Sequence, residues 1–260
     1  MLRSILTGPA RAITVLSLTQ IIGWGVLYYP PALVAPLISA EHGWSLAIVM
    51  LGFSVGLGVS GLLSPFACGM VDRHGANLPM SLGALIGASG LAAIVLATHP
   101  SVYLIAWVLI GAAMASILYD ASFATLTYLY GHGARRPITI ITFAGGLAST
   151  VFWPVTHLLI EHAGWRGTLL IFAGLLACVV APLHAFALPR DRHSENPAGH
   201  LQPVPPPLPS PISSYGWTFV LMAAGFALHA FVMSGIAAHL IGMLLRGGLD
   251  AAGAVAVASL

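Results

Sequence analysis

Residues 46–75 read LAIVMLGFSVGLGVSGLLSPFACGMVDRHG. From Leu46 to Met70 there is no charged side chain. A helix needs about 20 predominantly apolar residues to cross the hydrocarbon core of a bilayer, so this stretch is long enough to span one. Gly52, Gly56, Ser60 and Ser64 recur at i, i+4 and form one stripe along it. Lipid gives no hydrophobic drive for helices to associate, and small residues at this spacing let backbones approach. The stretch therefore predicts a membrane helix packed tightly against another. It ends in a short polar turn, Asp72-Arg73-His74-Gly75.

The same alternation fills the chain. Apolar runs lie at Ile13–Ile38, Leu46–Met70, Leu78–Thr98, Val102–Tyr128, Ile138–Ile160, Thr168–Leu188 and Trp217–Leu244, and an eighth begins at Ala251. Of the 260 residues, 58% are hydrophobic and 6% charged. A soluble domain carries about 25% charged residues, so lipid is the solvent for this surface. The composition excludes a soluble enzyme and a nucleic-acid-binding protein, and leaves the bilayer as an obligatory partner. The first apolar run is too long for a cleavable signal peptide. Cys68 and Cys178 fall within apolar runs and read as small buried hydrophobes, so neither a disulfide, a metal nor a cofactor is expected.

Orientation follows from arginine, because the chain has no lysine. With the N-terminus inside, Arg3, Arg11, Arg73, Arg135, Arg136, Arg190 and Arg192 are cytoplasmic, and only Arg166 and Arg246 are outside. This bias predicts a multi-pass protein of the plasma (cytoplasmic or inner) membrane with a cytoplasmic N-terminus. Trp44, Trp165, Trp217 and Tyr103 sit near span ends and read as interfacial anchors. Gly83 and Gly87, flanked by Ala84, Ala88 and Ala92, and the Ala144-Gly145, Ala148-Ser149 pairs extend the small-residue packing signal to the third and fifth spans. Pro30, Pro31, Pro36, Pro65 and Pro154 are positions where a helix can kink.

Between Pro189 and Pro211 there are eight prolines and no apolar run. This predicts a semi-rigid, extended linker, giving residues 1–188 as a six-helix bundle, 189–216 as a cytoplasmic linker and 217–260 as the start of a second bundle. Gly43-Trp44-Ser45-Leu46-Ala47 and Gly248-Leu249-Asp250-Ala251-Ala252 share the pattern Gly-x-(Ser/Asp)-x-Ala. In each, an N-cap residue opens the next span, as a repeat of six-helix halves would require.

Gly69-Met70-Val71-Asp72-Arg73-His74-Gly75 resembles the major facilitator signature Gly-x-x-x-Asp-Arg-x-Gly, although Ala76 and Asn77 stand where that signature continues with basic residues. Tyr119-Asp120, Arg135-Arg136, Ala144-Gly145-Gly146, Pro154 and Gly164-Trp165-Arg166 look like the monocarboxylate/oxalate-porter-like branch. The first span has no lysine, which some carboxylate carriers of that branch possess. The resemblance implies an all-α integral membrane fold: a six-helix N-terminal bundle, a seventh helix and the start of an eighth. It also implies that a C-terminal bundle is missing, so that the chain is a fragment or the product of a truncated gene. The implied function is alternating-access transport of a small solute, with protons as a candidate coupling ion. Gly69, Asp72, Arg73 and Gly75 would then form a loop that holds one conformational state.

Asp120 is the one acidic residue deep within a span. A charged side chain at the bilayer centre costs about 2.5–3.5 kcal/mol on insertion scales. It is read as a proton-coupling or substrate-contacting carboxyl, or as an acid bonded to a neighbouring helix. Tyr119, Tyr28, Tyr29 and Trp24 offer apolar faces with polar tips suited to a cavity wall. His157, His229 and His239 could titrate near neutrality, with a packed neutral imidazole as the plainer reading. Two other classes compete. Gly87-Ala88-Ser89-Gly90 matches the Gly-x-Ser-Gly of intramembrane serine proteases, with His157 or His229 as partner. A non-transporting membrane scaffold is the other.

Overall fold

A computed structural model describes residues 9–189 and 216–259. The described residues form helices only. Arg3, Arg190, Arg192 and the proline-rich linker lie outside them. We number the helices α1 (Pro9–Leu27), α2 (Pro31–His42), α3 (Leu46–His74), α4 (Asn77–Leu96), α5 (Pro100–Ile117), α6 (Tyr119–Tyr130), α7 (Arg135–Gly146), α8 (Ala148–Leu175), α9 (Gly216–Arg246) and α10 (Ala251–Ala258).

Several expected spans are broken. The first is α1 and α2, interrupted at Tyr28-Tyr29-Pro30, where proline cannot supply the next backbone donor. The fourth is α5 and α6, separated by Leu118 in an extended conformation (φ −81°, ψ −160°). The fifth is α7 with the first part of α8. Within α8, Gly164 takes φ 67°, ψ 174°, and the chain folds back so that Phe172 meets Phe152 at 5.8 Å between ring centres. The sixth span then runs on through two π-helical stretches, Leu176–Val180 and Leu183–Ala187. Asn77 satisfies the carbonyls freed there, donating from Nδ2 to His184, Ala185 and Leu188.

The two Gly-x-(Ser/Asp)-x-Ala turns have the same local construction. Gly43 and Gly248 both take positive φ, 67° and 97°. Two residues later, Ser45 accepts a bond from the Ile48 N–H, and Asp250 accepts one from the Gly253 N–H. Glycine ends one helix without a Cβ penalty, and the side-chain oxygen opens the next.

The fourth span is the centre of the packing, with α5 lying against both α3 and α4. The small-residue stripes make this possible. A Cβ on Gly56 would lie 2.7 Å from Trp107, and one on Gly90 would lie 2.8 Å from Ile110. A Cβ on Gly111 would strike the Gly56 carbonyl, which is backbone and cannot rotate away. Gly58 and Gly61, on the same helix as Gly56, face open space. Gly111→Ala should therefore lower stability by about 1 kcal/mol or more through overpacking, whereas Gly58→Ala should be neutral or slightly stabilising. Thermal unfolding of the two variants in one detergent checks this; equal midpoints would refute the close α3–α5 contact.

Some expectations need correction. Tyr103 and Trp165 are not interfacial anchors: both are buried, and the Tyr103 hydroxyl donates to the Val49 carbonyl at 3.0 Å. Trp217 is exposed, as an anchor should be. Cys178 is exposed and Cys68 half-buried, both as free thiols, so neither is a core hydrophobe. Their spans present these faces outward rather than into the bundle.

Candidate functional site

The break at Leu118 determines the site. It interrupts the helix between Ile117 and Tyr119, and leaves the Ile117 carbonyl without its helical donor. Gln20 on α1 supplies one: its Nε2 donates to the Ile117 carbonyl and to Ser122 Oγ, both at 2.7 Å. Gln20 Oε1 accepts from the Trp24 indole N–H at 3.1 Å. Gln20 is fully buried. One side chain thus ties α1 to both halves of the broken span and fixes Trp24.

Tyr119 and Asp120 follow the break, in the first turn of α6. Trp24 lies 4.9 Å from Tyr28 and 4.9 Å from Tyr119, between ring centres. Tyr28 continues the wall to Tyr29 at 5.2 Å and to Phe53 at 5.4 Å. Tyr119 stacks on Phe123 at 5.3 Å, and its hydroxyl donates to the Thr142 carbonyl at 3.0 Å. Gly145 gives Tyr119 room, since a Cβ there would collide with the ring. Ser64 on α3 donates to Asp120 Oδ2. Trp24, Tyr28, Ser60, Tyr119, Asp120 and neighbouring apolar side chains line an open concavity of about 190 Å³. A second concavity, bounded by Ser64, Cys68, Asp120 and Phe123, adjoins it.

Five of the expected residues, Trp24, Tyr28, Tyr29, Tyr119 and Asp120, therefore form one connected wall. His157 does not join it. Its Nε2 lies 3.5 Å from Glu161 Oε1, one turn further along α8. His229 and His239 are exposed on α9. Asp120 is exposed rather than enclosed by the bundle; it lines the concavity and is also bonded to a neighbouring helix through Ser64.

The signature residues form the end of a helix rather than a free loop. Asp72 and Arg73 are in the last turn of α3, both exposed, and neither makes an ion pair among the described residues. Gly75 (φ 75°) caps that helix, with its N–H bonded to the Val71 carbonyl at 2.9 Å. The final glycine of the motif is thus required by backbone conformation. Gly69 meets nothing within 4 Å of an added Cβ.

At the opposite end of the bundle, Glu41 accepts from Trp165 Nε1 at 2.6 Å and from the Arg166 guanidinium. At that end α9 and α10 close against the bundle. Ile241, Ala254 and Val255 pack with Ala32 and Trp153, and the Tyr28 hydroxyl donates to Ser234 at 2.8 Å. Every residue of α9 from Gly216 to Met233 is exposed. At 1.5 Å per residue this is roughly 26 Å of helix standing clear of the bundle. Tyr28 of the concavity is thus tied to α9, and the second concavity runs along Ser64, Pro65 and Cys68 of α3 in the direction of Asp72.

Ser89 has no catalytic surroundings. It is exposed, and its hydroxyl donates to the Ile86 carbonyl of its own helix at 2.7 Å. Gly87 and Gly90 beside it serve close packing against Ala113 and Ile110.

Broken helices around a polar and aromatic concavity, in a multi-pass bundle, define a membrane transport protein. The chain belongs to the Major Facilitator Superfamily, whose sequence model matches residues 13–260. That family consists of membrane transporters, not enzymes. No curated protein and no solved structure matches the chain.

Proposed function

We propose that the protein is a secondary active transporter that moves a small solute by alternating access, with Asp120 as the proton-coupling group. The observation that carries this is the placement of Asp120. It stands beside an aromatic wall, just after a helix break, in a concavity whose Tyr28 is bonded to Ser234 of α9. A group that must meet solute and protons from alternate sides needs such a position. In this reading residues 1–188 are the first bundle, 189–216 a cytoplasmic linker and 217–260 the start of the second bundle. The resemblance to the monocarboxylate/oxalate-porter-like branch does not extend to the site's charge, because among the described residues no arginine or lysine lines either concavity. The test is solute-dependent proton movement in proteoliposomes of the full-length protein loaded with a pH-sensitive dye. Sugars, amino acids, carboxylates and organic amines are offered in turn. Proton flux with one class supports the proposal; no flux with any class favours a scaffold role.

The arginine bias favours a cytoplasmic Asp72 end in a plasma or inner membrane. Reporter fusions after Arg136 and after Pro207 should both read as cytoplasmic, and an external signal at either would reverse the assignment. Asp72 and Arg73 make no ion pair among the described residues, which suits a lock that engages in another state of the cycle. Asp72→Asn should therefore slow turnover severalfold while leaving solute affinity nearly unchanged, because it shifts a conformational equilibrium. Unchanged turnover would remove that role.

A further inference from the structure

The concavity has an unusual distribution of hydrogen-bond donors. The Trp24 indole N–H is donated to Gln20, the Tyr28 hydroxyl to Ser234 and the Tyr119 hydroxyl to the Thr142 carbonyl. The Ser64 hydroxyl is donated to Asp120. The polar tips of the aromatic wall are all engaged with protein acceptors. The concavity is lined by Trp24, Tyr28 and Tyr119, by Ser60 and Asp120, and by the apolar Leu57, Met114 and Leu118.

The rings pack on one another mostly tilted or edge to face rather than stacked. Trp24 meets Tyr28 at an interplanar angle of 65° and Tyr119 at 47°. Tyr119 and Phe123 stack at 14°, and Tyr28 also packs edge to face with Tyr29 and Phe53. The N-terminus of α6, which could otherwise receive an anion, already carries Asp120 in its first turn. Among the described residues, no arginine, lysine or histidine borders either concavity. An anionic solute would meet a carboxyl and find few donors. A cation would meet that carboxyl and the negative faces of aromatic rings, which attract ammonium groups within about 6 Å of the ring centre.

We propose that this concavity binds a small organic cation, a protonated or quaternary amine, with Asp120 as its counter-charge and Trp24, Tyr28 and Tyr119 as an aromatic enclosure. The proposal rests on reading the concavity as the solute site and adds the charge class of the solute.

The experiment compares benzyltrimethylammonium with benzoate, which shares the aromatic ring and reverses the charge. Binding is measured by calorimetry on the full-length protein in a neutral detergent. Saturable binding of the cation is expected, at least about tenfold tighter than benzoate. Asp120→Asn should weaken the cation by about tenfold or more, and Asp120→Glu should hold it within a fewfold. Trp24→Leu should cost roughly tenfold through the lost ring face. Thermal midpoints of the variants report whether they remain folded, and the wild-type comparison needs no variant. Preference for benzoate, absence of saturable cation binding, or unchanged cation affinity in a folded Asp120→Asn protein would overturn the proposal. Each of these leaves the transporter reading intact, because proton flux with another solute class would sustain it. Cation binding without any solute-linked proton flux would uphold the charge class and remove the transport cycle.

Discussion

The full-length protein carrying Asp120→Asn is expected to fold and insert normally and to lose accumulation driven by a pH gradient. Asparagine matches the size of a protonated aspartate and can still accept the Ser64 hydroxyl that Asp120 accepts. It cannot gain or lose a proton. If the cycle moves a proton through this group, no gradient can be converted into solute accumulation, and the expected loss is complete rather than graded. Asp120→Leu removes the acceptor as well. Its additional cost is that of one hydrogen bond, about 0.5–1.5 kcal/mol, and it belongs at the low end because the carboxyl faces an open concavity. The pair of substitutions separates the roles. A packing residue would tolerate Asn and suffer from Leu, whereas a coupling residue fails with both. The measurement is uptake into proteoliposomes under an imposed pH gradient, using the solute that produces proton flux. Wild-type accumulation by the Asn variant would return Asp120 to a structural role.

The spans and their packing were legible because the signals are local. An uncharged run such as Leu46–Met70 can satisfy its backbone in lipid only as a helix, and Gly52 and Gly56 are small because Trp107 occupies the space beside them. The Ser45 and Asp250 caps could be read for the same reason, since each bonds an N–H three residues away. The breaks were less visible. Pro30 announces the first, but the second, at Leu118, has no proline or glycine beside it. Trp24, Tyr28, Tyr29, Tyr119 and Asp120 were each chosen singly, as polar or amphipathic groups within apolar runs. That they share one wall depends on the approach of α1 to α6, which is nonlocal. His157 had the same local credentials and joins Glu161 instead. Gln20 was missed, although an amide within a span is itself a signal: a buried polar group needs partners. Ser64 was read only as a small packing residue, and its hydroxyl acts on Asp120.

Gln20→Leu should be the most damaging substitution in the first span. Leucine is similar in volume and well suited to an apolar helix, so packing alone predicts little effect. The hydrogen bonds predict otherwise. Gln20 makes three of them, to Ile117, Ser122 and Trp24, and none can be replaced by water at a fully buried position. Interhelical bonds in membrane proteins contribute about 0.6 kcal/mol each on average, because the unfolded chain in the bilayer also finds partners. Three such bonds give a loss of about 2 kcal/mol. Ser122→Ala removes only one and should cost about a third as much. The functional loss should exceed the loss of stability. With Gln20 gone, the Ile117 carbonyl loses its donor and Trp24 its acceptor, so the break and the aromatic wall lose their alignment. Misplacing a site by about 1 Å can cost a hundredfold, so transport by Gln20→Leu should fall by one to two orders of magnitude while Ser122→Ala remains active. Thermal unfolding in detergent and uptake in proteoliposomes read the two effects separately. A Gln20→Leu protein with wild-type stability and transport would show that the break is held by the helices on either side of it and not by this amide.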